Sequence, residues 1–193
     1  MRGDIMEENK ENRVKEALKS VVELTIVAAV TFVVFTYIVK PISIEGSSMR
    51  PTVSDKDLAV VDAIGLKQNG VARFDVVIVD SDRLQDHLIK RVIGLPGETI
   101  EYKDDKLYVN GVYVEETFLD KAFMETSKQE SGKEQFTADF KITLLADEYF
   151  VMGDNRLHSE DSRALGPFRL DEFAGKNGFV IFPFSHFGWI NHQ

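Results

Sequence analysis

The stretch Thr99-Ile100-Glu101-Tyr102-Lys103-Asp104-Asp105-Lys106-Leu107-Tyr108-Val109-Asn110-Gly111-Val112-Tyr113-Val114 decides the fold class. Three short runs, Thr99 to Lys103, Lys106 to Val109 and Val112 to Val114, are separated by Asp104-Asp105 and Asn110-Gly111. Asn-Gly favours the positive φ angles of a two-residue hairpin turn, so the segment reads as a β-meander. Working outward, similar runs rich in Val, Ile, Tyr and Phe lie at Ile42 to Ile44, Leu58 to Asp62, Asp75 to Val79, Leu88 to Ile93, Tyr149 to Met152 and Gly178 to Phe182. Bounded by Gly, Asn and Asp, these read as strands. Between Glu115 and Glu148 the pattern weakens, and Glu125 to Lys133 reads as an exposed loop or a short surface helix. The fold class is mainly β.

The N-terminal region has a different texture. Val21 to Val39 reads VVELTIVAAVTFVVFTYIV, with Glu23 as its one charge. As a helix it would span roughly 28 Å, close to the hydrocarbon thickness of a bilayer. It exceeds the apolar core of a cleaved signal peptide and is followed by Lys40-Pro41 rather than a small-x-small cleavage pattern. A buried core helix is the other alternative, and the length favours a membrane anchor over it. Arg13, Lys15 and Lys19 precede the segment and Lys40 alone immediately follows it, which places the N-terminus inside. The expected organisation is a short cytoplasmic segment at 1–20, a transmembrane helix at 21–39 and an extracytoplasmic β-domain at 40–193.

Composition narrows the functions open to that domain. The 193 residues include no cysteine, which excludes disulfides, thiolate metal sites and a cysteine nucleophile. The first forty residues carry six basic and six acidic side chains, so the net charge of -9 belongs wholly to the region from Pro41 onward. An acidic domain without a basic stripe argues against nucleic acid as a partner. The four histidines show no His-x-Glu or His-x-x-x-His spacing, so no metal or other cofactor is expected.

Ser48-Met49-Arg50-Pro51 follows the apolar segment by about eight residues, and Lys90 lies some forty residues further on, inside Leu88-Ile89-Lys90-Arg91-Val92-Ile93. A seryl hydroxyl is a weak nucleophile until a base takes its proton, and a neutral lysine can do so. Working near neutrality needs a drop of about three units from the ordinary lysine pKa, which apolar burial can supply. His87 and His158 also lie near these motifs, but His87 is three residues from Lys90 and on a regular strand would face the opposite side of the sheet. Both read as surface or supporting residues.

Four blocks, in order, carry a resemblance over nearly the whole chain: Glu45-Gly46-Ser47-Ser48-Met49-Arg50-Pro51-Thr52, Phe74-Asp75-Val76-Val77-Ile78-Val79, Lys90-Arg91-Val92-Ile93-Gly94-Leu95-Pro96-Gly97-Glu98, and Gly153-Asp154-Asn155-Arg156 followed by Ser159-Glu160-Asp161-Ser162-Arg163. With the anchor, the chain resembles the bacterial type I signal peptidases in their single-anchor, Gram-positive form. The resemblance implies a signal-peptidase-type β-sheet catalytic domain outside the cytoplasmic membrane. It would cleave N-terminal signal peptides from exported preproteins after small residues. It further implies Ser48 as nucleophile, Lys90 as general base, Ser159 as a hydrogen-bond partner of the lysine, and Asp161 with Arg163 as a supporting ion pair. Ile42, Ile44, Met49, Leu88 and Ile89 are the implied walls of shallow pockets for small side chains. In some family members a serine two residues before the nucleophile supplies a second oxyanion donor; here that position is Gly46.

Other classes fit less well. Penicillin-binding enzymes and β-lactamases need Ser-x-x-Lys, which is absent from the chain. Self-cleaving repressor proteases share the Ser-Lys chemistry but lack an anchor and carry a DNA-binding region. A membrane-anchored chaperone with a dead site would not need to retain Ser48, Lys90 and Ser159.

Overall fold

The computed structural model describes residues 2–37, 40–80 and 87–190, and it divides into two compact units, Met1–Lys40 and Pro41–Gln193. The first is a single helix, α1 (Arg2–Tyr37). Among its described side chains, the apolar Val21, Leu24, Val27, Val30 and Phe32 are exposed. Among the described residues no helix is long and apolar enough to cross a membrane; the expected span of 21–39 runs onto residues 38 and 39, which lie outside them.

The second unit is mainly β. One sheet runs in the order β1 (Lys40–Ser43), β2 (Leu58–Asp62), β10 (Phe173–Phe182), β3 (Val76–Val79), β4 (Leu88–Gly94) and β9 (Phe150–Met152), and β11 (Gly188–Trp189) adds to β10. The central strands β3 and β4 are nearly continuous apolar runs because both their faces are covered. They pair antiparallel with Val77 opposite Lys90 and Val76 opposite Arg91.

The second sheet, β7-β6-β5-β8, contains the meander: β5 (Thr99–Lys103), β6 (Lys106–Val109), β7 (Val112–Val114), and β8 (Phe140–Thr143) on the far side of β5. Asp104 and Asp105 have φ of 51° and 59°, and Asn110 and Gly111 have 51° and 81°. These are the paired left-handed residues that tight hairpins need.

Sequence and structure differ at identifiable places. β10 starts five residues before the expected Gly178, and its register shifts between Lys176 and Gly178. Gly175, Asn177 and Gly178 look like turn residues, but they sit within a bulged strand, with Asn177 at φ 49°. β8 has no counterpart in the expected strands. The segment read as a loop or surface helix is α3 (Lys121–Ser131), opened by the Asp120 side chain accepting from Phe123 N and closed by Gly132 in the left-handed region. A second short helix, α2 (Ala63–Asn69), is capped by Asp62.

Three apolar clusters form the core. Ile44, Met49, Val61, Val76, Ile78, Ile89, Val180 and Ile190 make the first. Ile93, Ile100, Tyr102, Leu107, Phe150 and Met152 join the two sheets in the second. Val77, Val79, Val92, Val151 and Phe168 make the third. The C-terminal tail is only partly packed: Ile190 is buried, whereas Phe182, Phe184, Phe187 and Trp189 are 55–80% exposed.

Candidate active site

Ser48 lies in the loop between β1 and β2. That loop is closed at its base by Ile44 N donating to Asp57 O and Lys56 N donating to Ile44 O, both at 2.8 Å. The next side chain, Met49, is 1% exposed and packs into the first cluster, which ties the turn to the core. Lys90 comes from the middle of β4 and is 2% exposed. Its Nζ donates to Ser48 Oγ at 2.8 Å and to Ile89 O at 2.9 Å.

Burial pulls the Lys90 pKa down to about 8, against the opposing pull of Asp161, Glu160 and Asp154, while Arg163 adds a small downward push. Neither His87 nor His158 shares this contact. His87 is exposed with Nδ1 3.2 Å from Asp80, and His158 Nδ1 faces Asn155 Oδ1 at 3.4 Å.

The loop after β9 lies against the Ser48 turn, with Asn155 N donating to Ser48 O at 2.9 Å. Asp161 is buried and accepts two bonds from the Arg163 guanidinium at 2.8 Å, and its Oδ2 accepts from Gly153 N at 3.0 Å. Burial alone would raise the Asp161 pKa, but the Arg163 charge and these hydrogen bonds outweigh it and hold the carboxyl below its usual value. The buried Ser159 Oγ lies beside Asp161, yet among the described residues it makes no hydrogen bond of good geometry, and none joins it to Lys90. A Cβ on Gly153 would overlap Ser159 Oγ and the Ser48 carbonyl oxygen. Only glycine therefore lets these two loops approach so closely.

A second ion pair, not anticipated from the residues, underlies the first. Arg91 Nε and Nη2 bind Asp154 Oδ1 and Oδ2 at 2.8 and 2.7 Å, with both side chains almost fully buried. Thr52 Oγ1 donates to the same carboxylate. The available signal was an arginine that, with Lys90, interrupts an apolar strand, because a buried charge needs a partner.

The expected pocket residues divide. Ile44, Met49 and Ile89 share the first cluster, with Ile42 half-buried against it, whereas Leu88 packs into the third cluster around Val77 and Val79. Strand alternation explains the split, since Leu88 and Ile89 point to opposite faces. Gly46 N donates to Asp55 Oδ1 at 2.9 Å, so its N–H is already engaged. Among the described residues the Ser48 N–H makes no hydrogen bond. No group of three or more His, Asp or Glu side chains among the described residues is placed to hold a metal ion.

Residues 15–182 match the protein family described as signal peptidase, peptidase S26. The chain is 36% identical to signal peptidase IB of Staphylococcus aureus over 179 residues, covering 90% of this chain and 93% of the relative. It is 39% identical to signal peptidase I U of Bacillus subtilis over 174 residues, covering 89% and 91%. A crystal structure of a signal peptidase I from Enterococcus faecalis is 40% identical, with a TM-score of 0.48 over 54% of this chain and 94% of that one.

Proposed function

Because the chain belongs to the peptidase S26 signal peptidases and is a signal peptidase I, we propose that it cleaves signal peptides from exported preproteins after small residues, with Ser48 as nucleophile and Lys90 as general base. The observation that carries this reading is the 2.8 Å hydrogen bond between Lys90 Nζ and Ser48 Oγ. In the reactive state Lys90 is neutral and accepts the Ser48 proton as Oγ attacks the scissile carbonyl. The developing oxyanion faces the Ser48 N–H. Collapse passes the proton from Lys90 to the amine of the mature protein and leaves the signal peptide as an ester on Ser48. Lys90 then takes a proton from water as its oxygen attacks the ester, and collapse returns that proton from Lys90 to Ser48 Oγ, releasing the signal peptide with a free carboxyl and restoring the serine.

Ser159, Asp161 and Arg163 hold the loop beside Lys90. Asp161 fixes Gly153 and Arg163, and Ser159 keeps its hydroxyl close to that carboxylate. Ile42, Ile44, Met49 and Ile89 form the apolar wall beside the nucleophile; a larger substrate side chain there would overpack it at a cost of roughly 1–3 kcal/mol. Leu88 supports β4 from the other face.

Residues 21–39 serve as the single anchor, with the N-terminus inside and residues 40–193 outside the cytoplasmic membrane. The exposed apolar side chains of α1 support this reading, as does the excess of lysine and arginine before the span.

Replacing Ser48 with Ala, and separately Lys90 with Arg, tests the dyad in a preprotein-cleavage assay. Each variant is expected to lose at least roughly a thousand-fold in rate. Arginine keeps the positive charge but cannot act as a base. Wild-type cleavage by either variant would eliminate the mechanism.

A further inference from the structure

We infer that Asn155 is a positioning residue that aims the Ser48 N–H at the substrate carbonyl, an inference that rests on the Ser48 reading proposed above. Asn155 holds the peptide units on both sides of the nucleophile. Its backbone N donates to Ser48 O at 2.9 Å, and its side-chain Nδ2 donates to Ser47 O at 3.2 Å. The Ser47–Ser48 bond is trans, so the Ser47 carbonyl and the Ser48 N–H lie in one plane and point in opposite directions. Fixing the carbonyl oxygen therefore fixes the direction of the N–H.

The clamp is itself held. Asn155 is 6% exposed. Because the Ser47 carbonyl can only accept, the amide turns its nitrogen toward it and its oxygen toward His158 Nδ1, 3.4 Å away, and His158 N donates to Asn155 O at 3.0 Å. Ser47 O also accepts from Arg50 N at 3.2 Å, but that bond lies within the turn and would move with it. Asn155 reaches from the loop after β9, the same loop that carries Gly153 and Asp161. It thus registers the oxyanion donor against the support of Lys90.

Removing Asn155 would leave Ser48 and Lys90 in place and let the 47–48 peptide rock. A donor that drifts by a fraction of an ångström loses transition-state stabilisation while ground-state binding is kept.

The test uses the full-length enzyme and the variants Asn155→Ala and Asn155→Leu, none of which adds charge near Lys90. The substrate is a synthetic peptide spanning a signal-peptide cleavage site. Two inhibitors share its sequence up to the cut: an aldehyde, which forms a tetrahedral adduct on Ser48, and the corresponding alcohol, which does not. We expect kcat to fall roughly ten- to hundred-fold with KM within about two-fold. The aldehyde's Ki should rise by the same factor and the alcohol's should stay constant, with the pH at which activity half-rises unmoved.

Unchanged kcat, equal weakening of aldehyde and alcohol, or a shifted pH profile would each overturn the assignment. The aldehyde-to-alcohol ratio does not depend on the folded fraction, so a partly unfolded variant still gives an answer. Ser48→Ala assayed in parallel separates the two levels. A dead Ser48→Ala beside a fully active Asn155→Ala rejects this inference alone, whereas an active Ser48→Ala rejects the reading beneath it.

Discussion

At the scale of a residue, the proposed role of Lys90 ties activity and stability to one ionisation. With a pKa of about 8, roughly one lysine in ten is neutral at pH 7. With the neutral amine as the proposed base, kcat/KM should rise with pH through about 8 and then level, and a pH–rate profile checks this. The same shift has a stability consequence. The unfolded chain holds the Lys90 proton up to about 10.5, whereas the folded chain sheds it near 8, so stability should rise as pH climbs across that interval. Below about 8 the buried charge costs on the order of 3 kcal/mol. Lys90→Met should therefore be inactive yet more resistant to denaturant than wild type at pH 6, with the advantage shrinking toward pH 10. A Lys90→Met protein no more stable than wild type at pH 6 would contradict this account of burial. Lys90 was legible in the sequence because its strand neighbours are apolar. Asn155 was not: its amide bonds a carbonyl 108 positions away, and on local evidence Gly153-Asp154-Asn155 reads only as a turn.

Among the elements, local chemistry marks what was readable. The hairpins of β5, β6 and β7 follow from turn residues whose φ angles are a property of those residues alone. β8 pairs with β5 across some forty intervening positions, Ile142 opposite Ile100, and nothing local to it announces that partner. The join between the second sheet and the site loop is of the same long-range kind. Arg156, in the loop after β9, is fully buried. Its guanidinium meets Glu116 in an ion pair, Tyr102 OH at 2.8 Å and Thr137 Oγ1 at 3.3 Å, and its Nε donates to Gly153 O at 3.0 Å. Burial opposes the Arg156 charge, but Glu116 outweighs it and the guanidinium stays protonated. Glu116→Gln leaves that charge without its counterion and should cost about 3–5 kcal/mol. The double variant Arg156→Met with Glu116→Leu, which buries no charge, should recover most of the loss. Urea unfolding of the single and double variants measures both. A double variant as unstable as Glu116→Gln would mean that the hydrogen bonds to Tyr102 and Gly153, rather than the charge balance, hold this junction.

For the molecule as a whole, net charge and exposed apolar surface act in opposite senses at a membrane. The charge of -9 lies entirely beyond Lys40, and at low salt it repels anionic lipid headgroups. The C-terminal tail nevertheless presents Phe182, Phe184, Phe187 and Trp189 to solvent. Phe187 and Trp189 stack edge-on against Phe179, at 4.7 and 5.0 Å between ring centroids. Aromatic rings of this kind settle at the headgroup level of a bilayer. A chain beginning at Lys40 should consequently bind zwitterionic vesicles without the proposed anchor. It should bind anionic vesicles more weakly at low salt and recover as salt screens the repulsion. Making Phe187 and Trp189 serine removes apolar contact worth about 2 kcal/mol, so vesicle partitioning should fall roughly thirty-fold. Thermal unfolding of the variant controls for loss of the Phe179 contacts. Vesicle sedimentation that shows equal partitioning for the folded variant and its parent would rule out the tail as a membrane contact.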